Sequence, residues 1–76
     1  MTKKRSKIDI SVAVLKATMN GAKPTHIASE ACLNYETMHK YLMMLKDMEL
    51  VWHENGIFVT TTKGKVFIEM AEELKL

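Results

Sequence analysis

Seventy-six residues make one domain, and a chain this short buries only about 60 % of the surface its unfolded form exposes. With 47 % hydrophobic residues it has material for a core, which excludes a disordered chain, yet too little to enclose a substrate cavity of roughly 300 Å³ or more. The net charge of +2 is uneven: residues 1–7 carry Lys3, Lys4, Arg5 and Lys7 with no acid, while the remainder sets seven lysines against nine carboxylates.

The first predicted element is a helix over residues 7–20. Ser6 and Asp9 have the spacing of a capping box, with Asp in place of the usual Glu or Gln. Ile8, Val12, Leu15 and Met19 recur at helical spacing, and Asn20-Gly21 supplies a stop. Pro24 restarts the chain, since its missing N–H is unpaired in a first turn anyway. A second helix runs from Pro24 to Ala31, with Ile27, Ala28 and Ala31 as its apolar face. Cys32-Leu33-Asn34 forms a tight connection, with Cys32 read as a small buried hydrophobe. Asn34 then caps a third helix, Tyr35 to Met48, with Met38, Leu42 and Leu45 inward and Tyr41 beside them.

The period then shortens. Leu50–His53 and Ile57–Thr60 are rich in β-branched and aromatic residues and flank Glu54-Asn55-Gly56, a strong hairpin signal. Trp52 is expected to pack on the core or the last helix. Thr61 caps that last helix, whose stripe reads Phe67, Met70, Ala71 and Leu74. The order helix, helix, helix, strand, strand, helix predicts an α+β winged helix-turn-helix over residues 7–76, preceded by a flexible basic arm at 1–6.

A helix pair joined by a three-residue turn is how a helix-turn-helix offers its second member to the major groove of DNA. The outer face of the third helix carries Tyr35, Glu36, Thr37, His39, Lys40 and Met43, with Asn34 ahead of it. Glu36 can accept from cytosine N4, Thr37 can meet a thymine methyl, and Lys40 can hold guanine or a phosphate. Lys23, Thr25 and His26 open the second helix and suit phosphate contact; plain capping is the alternative there. Asn55 at the hairpin tip can touch a groove or a phosphate, although Glu54 beside it repels phosphate and the tip has no basic residue. The arm, with Lys3, Lys4, Arg5 and Lys7, suits a phosphate chain, or serves only as a solubilising tail. The simpler reading of the third helix is an ordinary solvated face.

Catalytic motifs are missing: no glycine-rich phosphate loop, nucleophile elbow or zinc-hydrolase pattern occurs, and Lys63-Gly64-Lys65 is too short for a phosphate loop. His26, Cys32, His39 and His53 fall in no paired metal-ligand spacing, so neither a metal nor another cofactor is expected. No apolar run approaches the ~18 residues of a membrane span. The lone Cys32 rules out an internal disulfide and fits a reducing compartment, so the expected location is the cytoplasm, on the nucleoid.

Arg5-Ser6-Lys7, Lys23-Pro24-Thr25-His26-Ile27, Leu33-Asn34-Tyr35-Glu36 before Tyr41-Leu42, and Thr61-Thr62-Lys63-Gly64 together resemble the small archaeal winged-helix DNA-binding proteins. That group includes chromatin-associated dimers and virus- or plasmid-borne regulators. The resemblance implies duplex DNA binding through the third helix and wing, for transcription control. Chromatin-type members dimerise through a long last helix, whereas this chain stops at Leu76. Glu49 stands where such proteins often have Gly, which calls for left-handed strain or a different turn. Apolar Ile10, Val14, Ala17, Val66 and Ile68 beyond the main stripes suggest a homodimer through the last helix, or through the last and first together. Two other functions stay open: a protein-interaction module and sequence-independent chromatin packaging. No small-molecule site is legible.

Overall fold

The computed structural model describes residues 5–74. Its elements are α1 (Lys7–Ala17), α2 (Pro24–Glu30), α3 (Tyr35–Asp47), β1 (Val51–Glu54), β2 (Ile57–Thr60) and α4 (Thr62–Glu73). The expected order holds, and the fold is a winged helix-turn-helix. The capping box at the start of α1 is present: Ser6 Oγ accepts from the Asp9 N–H at 3.0 Å, and Asp9 Oδ2 accepts from the Ser6 N–H at 3.2 Å.

The core lies between α1, α2 and α3, where Val14, Leu15, Ile27, Met38, Leu42 and Leu45 are fully or almost fully buried. Leu50, Val51, Phe58, Ile68 and Ala71 close it from the hairpin and α4. On α1 the buried arc is rotated from the expected stripe. Ile8 and Met19 are substantially exposed, and Ser11, Val14 and Thr18 are inside. Thr18 suits its buried place because β2 comes close there. The Thr60 N–H donates to the Thr18 carbonyl at 2.9 Å. The Thr60 hydroxyl lies 2.5 Å from the Leu15 carbonyl oxygen and 2.7 Å from the Thr18 hydroxyl. Each hydroxyl has one proton, so either Thr18 donates to Thr60 while Thr60 donates to Leu15, or Thr60 donates to Thr18 while Thr18 donates to the Leu15 or Val14 carbonyl, 3.0 and 3.2 Å away.

Two helices end in the same way, with a left-handed residue that is not glycine. At the end of α2, Cys32 has φ 57°. The Leu33 N–H bonds the Ala28 carbonyl and the Cys32 N–H bonds the Ser29 carbonyl. At the end of α3, Glu49 has φ 64°, with Leu50 bonded to Leu45 and Glu49 to Lys46. Both are Schellman motifs. Cys32 is exposed rather than buried, because the left-handed turn aims its side chain away from the core.

β1 and β2 pair antiparallel, with Val51 opposite Thr60 and Glu54 opposite Ile57. The turn residues Asn55 and Gly56 both have positive φ, 52° and 77°, as a type I′ turn requires. Ala22 exchanges both backbone hydrogen bonds with Phe58 at 2.9 Å and adds a one-residue third rung to the sheet. Strand alternation decides the fate of Trp52. Val51 and Phe58 turn inward, so Trp52 faces out beside Val59; it is 58 % exposed rather than packed, and its indole N–H reaches Glu54 Oε1 at 3.2 Å.

α4 is also rotated relative to its expected stripe. Gly64, Ile68 and Ala71 face inward with Phe67 at the margin, while Val66, Met70 and Leu74 are exposed. Gly64 sets this orientation: a Cβ there would lie 2.3 Å from the Leu50 carbonyl oxygen. Thr61 fixes the same junction, accepting from the Gly64 N–H at 3.1 Å and donating to the Glu49 carbonyl at 2.7 Å. Lys16 and Glu72 form an exposed ion pair at 2.5 Å between α1 and α4, an interaction type that contributes little.

Candidate nucleic-acid interface

The recognition geometry starts at the turn between α2 and α3. The left-handed Cys32 reverses the chain, and Asn34 begins α3 by accepting the Thr37 N–H on Oδ1 at 2.8 Å. That bond occupies the Asn34 carbonyl oxygen and leaves its amide N–H groups to act as donors. Burying Met38, Leu42 and Leu45 turns the opposite side of α3 to solvent. Glu36, His39 and Lys40 are exposed there, Tyr35 is 53 % exposed and Thr37 is half-buried. The outer face is therefore not covered by the hairpin.

This face has two flanks. On one, the Tyr35 and His39 rings stack at a centroid distance of 6.1 Å and line a shallow depression with Glu36. On the other, Thr37, Lys40, Tyr41 and Met44 line an open groove together with Lys7 from the start of α1. Met43, expected on the outer face, is half-buried against the core, and Met44 takes the exposed place. Lys7, a candidate from the basic arm, stands on the first turn of α1 and lines this groove, whereas Tyr41 and Met44 were not among the sequence candidates for contact.

Lys23, Thr25 and His26 are exposed around the first turn of α2. Lys23 occupies the N-cap position and no side chain caps that end. Arg5 differs from a free arm residue: its guanidinium donates to the Ala31 carbonyl at 2.9 Å, tying the chain before α1 to the end of α2. Lys3 and Lys4 lie outside the described residues. Asn55 is exposed at the wing tip, while His53 stacks on Phe58 at 4.1 Å and is held along the strand. Among the described residues, no three His, Cys, Asp or Glu side chains converge to hold a metal ion. No helix among them is long and apolar enough to cross a membrane.

A family profile described as winged helix-turn-helix matches residues 4–76. The chain belongs to that family. This winged helix-turn-helix chain is also 36 % identical over 72 residues to an uncharacterized protein of the archaeon Methanocaldococcus jannaschii. The match covers 93 % of the chain but 34 % of that protein, so the chain spans about a third of the length of the relative it matches. The family is one of DNA-binding, regulator-type domains, and the likeness to an archaeal protein agrees with the resemblance read from the short motifs.

Proposed function

We propose that this protein is a non-catalytic regulator of transcription that binds duplex DNA by inserting α3 into the major groove. The observation that carries the reading is the open outer face of α3, where Glu36, His39 and Lys40 stand exposed beyond a fully buried inner face. Lys23, Thr25 and His26 on the first turn of α2 supply phosphate contacts in this reading, with Asn55 at the wing tip and the arm residues Lys3 and Lys4 extending them. Selection of bound duplexes from a random pool, followed by mobility shifts at rising salt, tests it. Lys40→Ala should weaken binding by about 1 kcal/mol or more. Absence of duplex binding at low salt refutes the reading.

The partner we propose for the apolar face of α4 is a second copy of the chain. Lys63, Val66, Met70 and Glu73 share one side of α4, and Met48 and Phe67 border it. Antiparallel pairing about a two-fold axis level with residue 68 sets Val66 against the second copy's Met70, and Lys63 against its Glu73. Opposite charges then meet at both ends of an apolar seam. Such a dimer reads half-sites roughly 34–36 Å apart.

A protein-interaction role is the second reading. It is favoured by the wing, where Trp52 is 58 % exposed and the tip has no basic residue. Capture of a stable protein partner that survives Lys40→Ala would replace DNA binding with this function.

A further inference from the structure

The groove between α1 and α3 is not explained by insertion of α3 alone. Its lining is Lys7, Thr37, Lys40, Tyr41 and Met44, which combines two ammonium groups and two hydroxyls and contains no carboxylate. Lys7 and Lys40 come from different helices, and the backbone that carries Lys7 is anchored. The capping box orders the first turn of α1, and Arg5 fastens the preceding chain to the Ala31 carbonyl at 2.9 Å. Asp9, the acid of that first turn, accepts the Ser6 N–H.

We propose that this groove is a docking site for one phosphodiester strand of a DNA duplex, in which Lys7 and Tyr41 are contacts additional to the outer face of α3. The inference rests on the DNA-binding reading above. Three observations select a nucleic-acid strand as the occupant. The charge is complementary, with two cations and no opposing acid in the lining. The groove is continuous with the recognition face, since Thr37 and Lys40 belong to both. It is also open, whereas a small-molecule site buries 70–90 % of its ligand. A polymer that gathers many weak contacts along its length suits an open groove. The Met44 thioether, the Tyr41 ring and the lysine methylenes offer an apolar floor for the C–H edge of deoxyribose, and the hydroxyls and ammonium groups above it meet phosphate oxygens. α1 then acts as a second anchor that fixes the angle at which α3 enters the duplex.

The test uses the full chain with a duplex selected by the wild-type protein. Lys7→Ala and Tyr41→Phe are compared with Lys65→Ala, a lysine on α4 away from the groove, after far-UV circular dichroism establishes that each is folded. Tyr41→Phe keeps the ring and removes the hydroxyl, so packing is preserved. The expected result is a roughly three- to ten-fold loss of affinity for each groove variant. Lys7→Ala should also make the plot of log K against log salt shallower by about 1, with Lys65→Ala unchanged. Phosphate ethylation interference should lose one protected phosphate in Lys7→Ala and keep the others. Wild-type-like affinity, salt slope and interference in both groove variants, with the parent still binding DNA, overturn the groove and leave the α3 reading intact. Failure of the parent to bind any duplex removes both.

Discussion

Replacing Gly64 with Ala isolates one close approach in this fold. An alanine Cβ would sit 2.3 Å from the Leu50 carbonyl oxygen and 2.6 Å from Thr60 Cγ2, about 1 Å inside ordinary contact. The Leu50 carbonyl has little freedom to retreat. It accepts the Thr61 N–H at 3.0 Å, and the Leu50 N–H is held by the Leu45 carbonyl at 2.9 Å. Helix propensity alone favours Ala over Gly by about 1 kcal/mol. Opposing it are overpacking of about 1–3 kcal/mol and damage to a hydrogen bond worth about 1 kcal/mol. The steric side wins, and the expected net loss is about 1–3 kcal/mol. In a domain of this size that corresponds to a fall in Tm of roughly 5–20 °C. Thermal denaturation followed at 222 nm, with urea titration for the m-value, measures it. A Tm equal to or above that of the parent would refute the argument, since propensity would then outweigh the contact.

Three further outcomes are expected. Thr60→Val should cost about 1 kcal/mol by removing the hydroxyl that bonds Leu15 and Thr18. Combined with Thr18→Val it should cost less than the two single losses together, as a double-mutant cycle in urea would show; strict additivity would mean the hydroxyls act independently. Glu49→Gly should stabilise by about 0.5 kcal/mol, because relief of roughly 1–2 kcal/mol of left-handed strain exceeds the extra chain entropy of glycine, about 0.5–1 kcal/mol. A lower Tm for that variant would show that the Glu49 side chain contributes more than its backbone geometry costs. Met70→Glu should halve the mass seen by sedimentation equilibrium without lowering helicity. A mass unchanged by the substitution would exclude the α4 seam as the contact between copies.

Short-range chemistry is what the linear chain made readable. Ser6 with Asp9, Asn34, Thr61 and Asn55-Gly56 each act through atoms within a few residues, so their helix starts and turn follow from local bonding. The inner face of α3 was equally legible, because Met38, Leu42 and Leu45 repeat with one clear period and α3 is packed on one side only. The outer candidates from Tyr35 to Lys40 followed from that face by subtraction.

Tertiary packing decided the rest. α1 is covered by α2, α3, α4 and β2, so its hydrophobic pattern alone did not specify the buried arc, and Thr60 on β2 meets it at Leu15 and Thr18. The rotation of α4 depends on a missing side chain at Gly64, a contact with Leu50 that no periodicity encodes. Trp52 was placed by strand parity against the pull of its size, and Cys32 by a left-handed turn. The meeting of Lys7 with Lys40 and Tyr41 required two helices far apart in the chain to pack together. Local rules set where elements begin and which side of an isolated helix is apolar. Which sides touch is a property of the assembled core, because close approach depends on the shapes of all its members at once.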